Sequence, residues 1–540
     1  MNRPLLYIWL ICSLFTACKE EEAGKKIVEN HEQPEILELA EADEIEDYLE
    51  SLEDSTQTSI YELPGIIKFY KDRGYEPVWT SLELRNDLYQ QIENIEFEGL
   101  FYEDYHGEKI HGLLKNTSLK ESNSPLEILL TSAFLRLSND LGTGKLDPTK
   151  IYDIWGTPTN TVEPFELLNK IAEGQSSPGE ILDSIKPDHV VYLGLKKALR
   201  QYREAGIKEN STTTIPSGKM IRPGEKDERI ELVAHRLSEL GYFKNNPDSV
   251  SNRYTKDIQT ALESFQLDHG LQVDGLVGNT TIENLNLTTE DRYHQLLVNL
   301  ERWRWYPRDL GDQYIIINIP NYELHLVKGK DTLRYHKTMV GTEARKTPVF
   351  SDKVEYIIYN PTWTIPPTIL KNDIIPGTRN DLGYLQRKNI RVYNRNGNQV
   401  DPQEVNWHSS EARSYTFRQP AGPSNPLGLV KIIYPNKYMI YLHDTPSKKL
   451  FENNARAQSS GCVRVQDVLD LARDLLSDQK KYDDKKIGEI LKSGRTTEIP
   501  VTKDVKVHHF YWTAYQKKDT TKFIDDIYDL DKKLWELLKP

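Results

Sequence analysis

Tyr441-Leu442-His443-Asp444-Thr445-Pro446, followed by Ser459-Ser460-Gly461-Cys462-Val463-Arg464-Val465, places a histidine nineteen residues before a cysteine in a glycine turn. The chain has three cysteines, and the other two, Cys12 and Cys18, lie within or just after an apolar leader. Cys462 therefore has no disulfide partner in the body of the chain, and a lone cysteine of this kind is a candidate reactive thiol. A free thiol is only a few per cent thiolate at neutral pH, so a nucleophilic cysteine needs a base or a cation beside it. His443 is the candidate base and Cys462 the candidate nucleophile. Gly461 lets a substrate approach the backbone, and the N–H groups around Gly461 and Cys462 are candidate oxyanion donors. Arg464 has the fork geometry to grip a substrate carboxylate, although a structural ion pair accounts for the same residue. The competing reading of Cys462 is a small buried hydrophobe. Asp444 adjoins His443, but neighbours on a strand point to opposite faces, so it is not expected to touch the imidazole. No Cys-x-x-Cys pair accompanies Cys462 and His508-His509 lacks ligand spacing, so neither a metal nor a cofactor is expected.

Around these motifs the texture is that of strands. Tyr314–Ile319, Tyr322–Val327, Thr338–Gly341, Val354–Tyr359 and Val430–Tyr434 are short β-type runs with Gly and Pro punctuation, which predicts a mainly β domain over 312–534. An insertion at 365–421, rich in aromatics and arginines, interrupts it. Residues 226–288 form a separate unit: a helix ending near Gly241, then Ile258, Ala261, Leu262 and Phe265 at helical spacing, then Asp274-Gly275-Leu276-Val277-Gly278. Residues 56–215 carry helical apolar stripes such as Ile66-Ile67-Phe69-Tyr70 and read as a scaffold without catalytic spacing. The expected class is an α+β multidomain protein: helical scaffold, three-helix unit, mainly β domain.

The N-terminus reads as an address. Met1-Asn2-Arg3 precedes an apolar stretch too short to span a bilayer comfortably, and Phe15-Thr16-Ala17-Cys18 resembles a lipoprotein cleavage site. Residues 1–18 are therefore expected to be a lipoprotein signal peptide with Cys18 as the lipidated residue. Lys19 in the next position favours the outer membrane. Residues 19–55 carry fifteen acidic side chains against three lysines, nearly the whole net charge of −13. Such a block is expected to be a solvated acidic tether. Neither tether nor body offers the basic surface of a nucleic-acid binder.

In Val340-Gly341, Thr347-Pro348, His443 and the Ser-Ser-Gly-Cys-Val-Arg run, the C-terminal half resembles the L,D-transpeptidase catalytic domain of YkuD type. Most members have a histidine before Gly-Cys. Ser460 stands there in this chain, as in the large, YcbB-like branch, which Asn360-Pro361-Thr362-Trp363 and Gly422-Pro423-Ser424-Asn425-Pro426 also resemble. The 226–288 unit resembles a peptidoglycan-binding module. The resemblance implies a capping subdomain at 365–421, a backbone carbonyl orienting His443, and Trp363, Tyr441, Ser460 and Arg464 at the substrate cleft. It implies a cysteine acyltransferase of the cell envelope, on the periplasmic side, acting on peptidoglycan stem peptides and glycan and open to carbapenem-type inhibitors. The expected reaction is a 3→3 cross-link formed through a thioester. An L,D-carboxypeptidase, an enzyme anchoring lipoprotein to the wall, and a non-catalytic peptidoglycan-binding anchor are the alternatives.

Overall fold

The computed structural model describes residues 39–54, 59–115, 123–204, 206, 213–518 and 520–540. Cys18, the signal peptide and residues 19–38 lie outside the described residues. Within the acidic stretch the structure corrects the expectation of a tether. Ala42–Glu53 is a helix whose Ile45 and Leu49 are 0% and 2% exposed in the core of the helical region. Apolar residues at i and i+4 make a stripe that packs, while the carboxylates turn outward. The sequence spacing of Leu49 and Leu52 allows a transient amphipathic helix, and the structure packs it into the core instead of leaving it solvated.

The helical region is built around Ser124–Thr143, a helix begun by Pro125 and closed by Gly144. Most of its side chains are buried, Glu127 among them. That carboxylate accepts from Tyr70 Oη at 2.8 Å and from the Val78 N–H at 2.5 Å, so the buried charge is met by donors. Next along the chain, Arg229–Glu239, Lys256–Asp268 and Asn279–Asn286 form the three-helix unit with its own core. It docks on the C-terminal segment: Asn284 Nδ2 donates to Asp525 Oδ1 at 2.8 Å, and His269 stacks on Phe523.

The sheet of the C-terminal half has twelve strands among the described residues. At its centre Asp331–Gly341 pairs with Val463–Val465, then follow Leu442–His443, Val430–Ile433, Tyr356–Tyr359 and Thr497–Pro500. The other half runs through Glu323–Lys328, Gln313–Asn318, Lys506–Phe510 and Val349–Lys353 to Trp155–Gly156. The last of these belongs to the chain's N-terminal third, yet it pairs in parallel with Val349–Phe350. The helix Val190–Glu204 likewise buries Tyr192, Leu195 and Leu199 in the core of the sheet rather than among the earlier helices. The insertion makes its own four-stranded sheet from Trp363–Thr364, Thr416–Gln419, Arg391–Tyr393 and Gln399–Val400. Its separate small core includes Ile375, Leu385, Trp407 and Phe417. No helix among the described residues is long and apolar enough to cross a membrane.

One helix, Thr289–Trp305, joins these parts. It is buried on nearly every side although it carries Asn299, Glu301, Arg302 and Arg304, all at 0% exposure. Arg304 pairs with Glu301 (2.6 Å) and donates to the Glu98 carbonyl (2.7 Å). Glu301 also accepts from the Leu146 N–H and from Trp305 Nε1. Arg302 donates to Tyr152 Oη and pairs with Asp531 of the C-terminal helix. Removing one member of a buried pair leaves a charge without compensation, at a cost of about 3–5 kcal/mol. Glu301→Ala should lose roughly that much unfolding free energy by urea titration, and Glu301→Leu combined with Arg304→Met should lose clearly less than Glu301→Ala alone.

Candidate active site

The two motifs meet because their strands are neighbours. Leu442–His443 and Val463–Val465 run parallel, with Leu442 opposite Val463 and His443 opposite Arg464. Side chains alternate along a strand. Leu442 and Val463 are fully buried in the core, so Tyr441, His443, Cys462 and Arg464 take the opposite face. All four line one cleft of about 450 Å³. Trp363, just before the insertion, and Ile369 within it form one wall, and Tyr152 and Ile154 of the N-terminal third contribute to another.

Cys462 is a free, half-buried cysteine whose Sγ lies 3.6 Å from the Met439 carbonyl. Burial pushes its thiol above the ordinary range, opposed by hydrogen bonding at Tyr441 and by the charges of Lys431 and Arg464. His443 is 5% exposed, and its Nδ1 lies 2.5 Å from the Asp444 carbonyl. A carbonyl only accepts, so Nδ1 carries the proton and Nε2 is left as the acceptor. Burial first, then the charge of Arg464, depresses the imidazole pKa to about 3. The resting pair is thus a neutral thiol and a neutral imidazole.

The carboxylate of Asp444 points the other way. It accepts from the Leu429 N–H at 2.9 Å and pairs with Lys448, so the backbone carbonyl of Asp444, not its side chain, orients the ring. Arg464 is partly buried in the cleft wall, its Nη1 4.0 Å from Met339 Sδ. Among the described residues no carboxylate pairs with it and its Nε has no partner. An unpaired guanidinium at a cleft suits an anionic ligand. Ser460 accepts from Arg345 Nη1 at 2.9 Å, and Arg345 also pairs with Asp373 of the insertion at 3.0 Å, which ties the insertion to the catalytic turn. Trp363 and Tyr441 line the same cleft.

Gly461 takes φ +112°, a conformation that other residues rarely adopt. Its N–H donates to Ser459 Oγ (3.1 Å), whose own hydroxyl donates to the Cys462 carbonyl (2.6 Å). Of the two amides proposed as oxyanion donors, that of Gly461 is already engaged.

Residues 312–497 match the family described as "L,D-transpeptidase catalytic domain". Residues 226–285 match a "Putative peptidoglycan binding domain", and residues 64–199 match a "Scaffold domain". A relative from Haemophilus influenzae named "Putative L,D-transpeptidase" is 34% identical over an alignment of 378 residues, covering 64% of this chain and 76% of the relative. The chain belongs to the L,D-transpeptidase family. Solved L,D-transpeptidases from Stackebrandtia nassauensis and Xylanimonas cellulosilytica are 12% and 15% identical to it, with TM-scores of 0.21 and 0.16. The alignments cover 56% and 55% of this chain and 97% and 99% of those chains.

Two supports of this transpeptidase's turn were not assigned a role from sequence. Tyr528 Oη donates to the Gly341 carbonyl (2.8 Å) and accepts from the Thr347 N–H (3.0 Å). Thr347 Oγ1 donates to the Gly461 carbonyl (2.7 Å) and accepts from the Gly341 N–H (2.9 Å). Spacing alone does not connect Thr347 or Tyr528 to the turn, since Tyr528 lies 66 residues after Cys462 and Thr347 lies 115 before it. His508 and His509 are engaged structurally, by Ser351 and the Leu310 carbonyl and by Tyr434 respectively.

Thr347→Val removes the donor to the Gly461 carbonyl and leaves that buried acceptor unmet, worth about 1–3 kcal/mol. Cys462 of the variant should be alkylated by iodoacetamide at least several-fold more slowly, by mass spectrometry, with an unchanged circular dichroism spectrum. A second expectation concerns acid. His443 is depressed when folded and titrates near 6.5 when unfolded. Between about pH 6.5 and 3 the unfolded chain binds the extra proton, so this contribution is complete above the unfolded pKa and lost as pH falls toward the folded one. The stability gap between wild type and His443→Gln should therefore move against the wild type from pH 7 to pH 5, read from urea midpoints at each pH.

Proposed function

We propose that the protein is an envelope enzyme that forms 3→3 cross-links in peptidoglycan through a cysteine thioester. Cys462 attacks the carbonyl of the third stem residue, diaminopimelate, of a donor tetrapeptide. His443 Nε2 takes the thiol proton as the bond forms and returns it to the leaving amine of the terminal D-alanine. The N–H of Cys462 is the candidate donor to the oxyanion, since that of Gly461 is occupied. The side-chain amine of a second stem then attacks the thioester and frees the thiol. Arg464 takes a donor carboxylate, and Trp363 and Tyr441 wall the peptide. Ser460 holds the insertion over the cleft through Arg345.

The observation that carries this reading is the array on one sheet face: thiol, phenol, imidazole and a guanidinium free of any carboxylate, beside a turn held from both sides. A relic anchor has no use for that array. The peptidoglycan-acting domains place the protein in the cell envelope. Further, we read residues 1–18 as the signal peptide and Cys18 as the lipidated residue, on the periplasmic side of the outer membrane. Residues 19–38 then separate lipid from body.

Purified protein incubated with tetrapeptide-bearing muropeptides should yield 3→3 dimers and D-alanine by mass spectrometry. Cys462→Ala should yield neither while remaining folded, and a carbapenem should leave an adduct on Cys462 of the wild type. Tripeptide without dimer would mean that water is the acceptor and the enzyme a carboxypeptidase. Turnover in the alanine variant would end the nucleophile assignment.

A further inference from the structure

A row of cross-strand pairs runs past the nucleophile. Glu498 is opposite Ile358, Ile358 opposite Lys431, Lys431 opposite His443, and His443 opposite Arg464. Directly paired residues share a face, so Lys431, His443 and Arg464 stand side by side on the catalytic surface. Lys431 Nζ sits over the Tyr441 ring, 4.9 Å from its centroid. That same ring stands beside Cys462 on the neighbouring strand, and both residues line the cleft. A phenol ring thus neighbours both an ammonium and the cysteine.

Lys431 is partly buried, and among the described residues no carboxylate forms an ion pair with it. The charged and titratable groups facing it are few. Cys462 and Arg464 come from the strand beyond His443, Tyr441 and His443 from the adjacent strand, and Glu498 from the far side of Ile358. Tyr434, on the following turn, feels the same thiol. A half-buried ammonium with no carboxylate beside it costs free energy unless something compensates. The potential anion within reach of the ring is the thiolate.

We propose that Lys431 is a positioning residue of the reaction: its ammonium, held over the Tyr441 ring, is the standing counter-charge of the Cys462 thiolate. His443 fills that place poorly, because it stands between two cations and is neutral at rest. Arg464 is the cation expected to be neutralised when a substrate carboxylate arrives. Lys431 lies outside the lining of the cleft. The inference rests on Cys462 being the nucleophile.

The test is the pH dependence of iodoacetamide alkylation of the full chain, followed by peptide mapping so that only Cys462 is scored. Lys431→Met, close in length and uncharged, should raise the midpoint by about one pH unit, a tenfold loss of thiolate at a given pH. Lys431→Arg should restore most of it, and His443→Gln should shift it less than Lys431→Met does. A Lys431→Met midpoint equal to that of wild type would overturn the proposal. So would a Lys431→Arg shift as large as that of Lys431→Met, which would mark a purely steric role. Failure of the underlying reading is separate, since it shows as turnover in Cys462→Ala whatever the alkylation profile.

Discussion

The parallel pairing of Leu442–His443 with Val463–Val465 is the constraint on which the chemistry depends. Its register sets Tyr441 beside Cys462 and His443 beside Arg464 in a two-by-two array. A slip of one residue would exchange the faces, send the thiol and imidazole into the core, and bring Leu442 and Val463 to the surface. The buried Leu442 and Val463, both at 0% exposure, resist that slip, so core packing and catalytic placement are one requirement. The same array extends outward through Lys431, on the strand antiparallel to His443. Parts far apart in sequence reach the turn too, as with Tyr528 near the C-terminus and Thr347 early in the domain.

The helix Thr289–Trp305 does for the domains what that register does for the site. A helix this polar would ordinarily be exposed. Here the buried charges and Asn299 are answered from different parts of the chain: Glu98 and Leu146 from the helical region, Asp531 from the C-terminus, Thr513 from the sheet domain. The scaffold strand Trp155–Gly156 and the helix Val190–Glu204 add to the same junction. The cleft wall formed by Tyr152 and Ile154 is thereby fixed relative to Cys462, some three hundred residues later.

Much of this was legible in the chain. The short β-branched runs such as Tyr314–Ile319 marked the sheet, and the opposite-face rule placed the Asp444 carboxylate away from the imidazole without coordinates. What escaped was of two kinds. Contacts closed by the tertiary fold, such as Arg345 bridging Ser460 and Asp373, leave no trace in local spacing. Where two local signals competed, the louder one misled: the carboxylates of residues 42–53 outnumber Ile45 and Leu49, yet two well-spaced apolar side chains set the helix. Lys431 belongs to the first kind, since a lysine in a strand looks like any solvated residue until its neighbours across the sheet are known.

The depressed imidazole and raised thiol have a consequence for survival outside the cytoplasm. Oxidants attack thiolates, and the ladder from sulfenic to sulfonic acid ends irreversibly. With no thiol partner among the described residues, Cys462 cannot be rescued by forming an internal disulfide there. Holding the sulfur protonated while the cleft is empty keeps it a poor target. Arrival of an anionic substrate would cancel the charge of Arg464, one of the causes that holds His443 down, and strengthen the base at that moment. On the proposed mechanism, the reactive form is then borne only while a substrate is present to consume it.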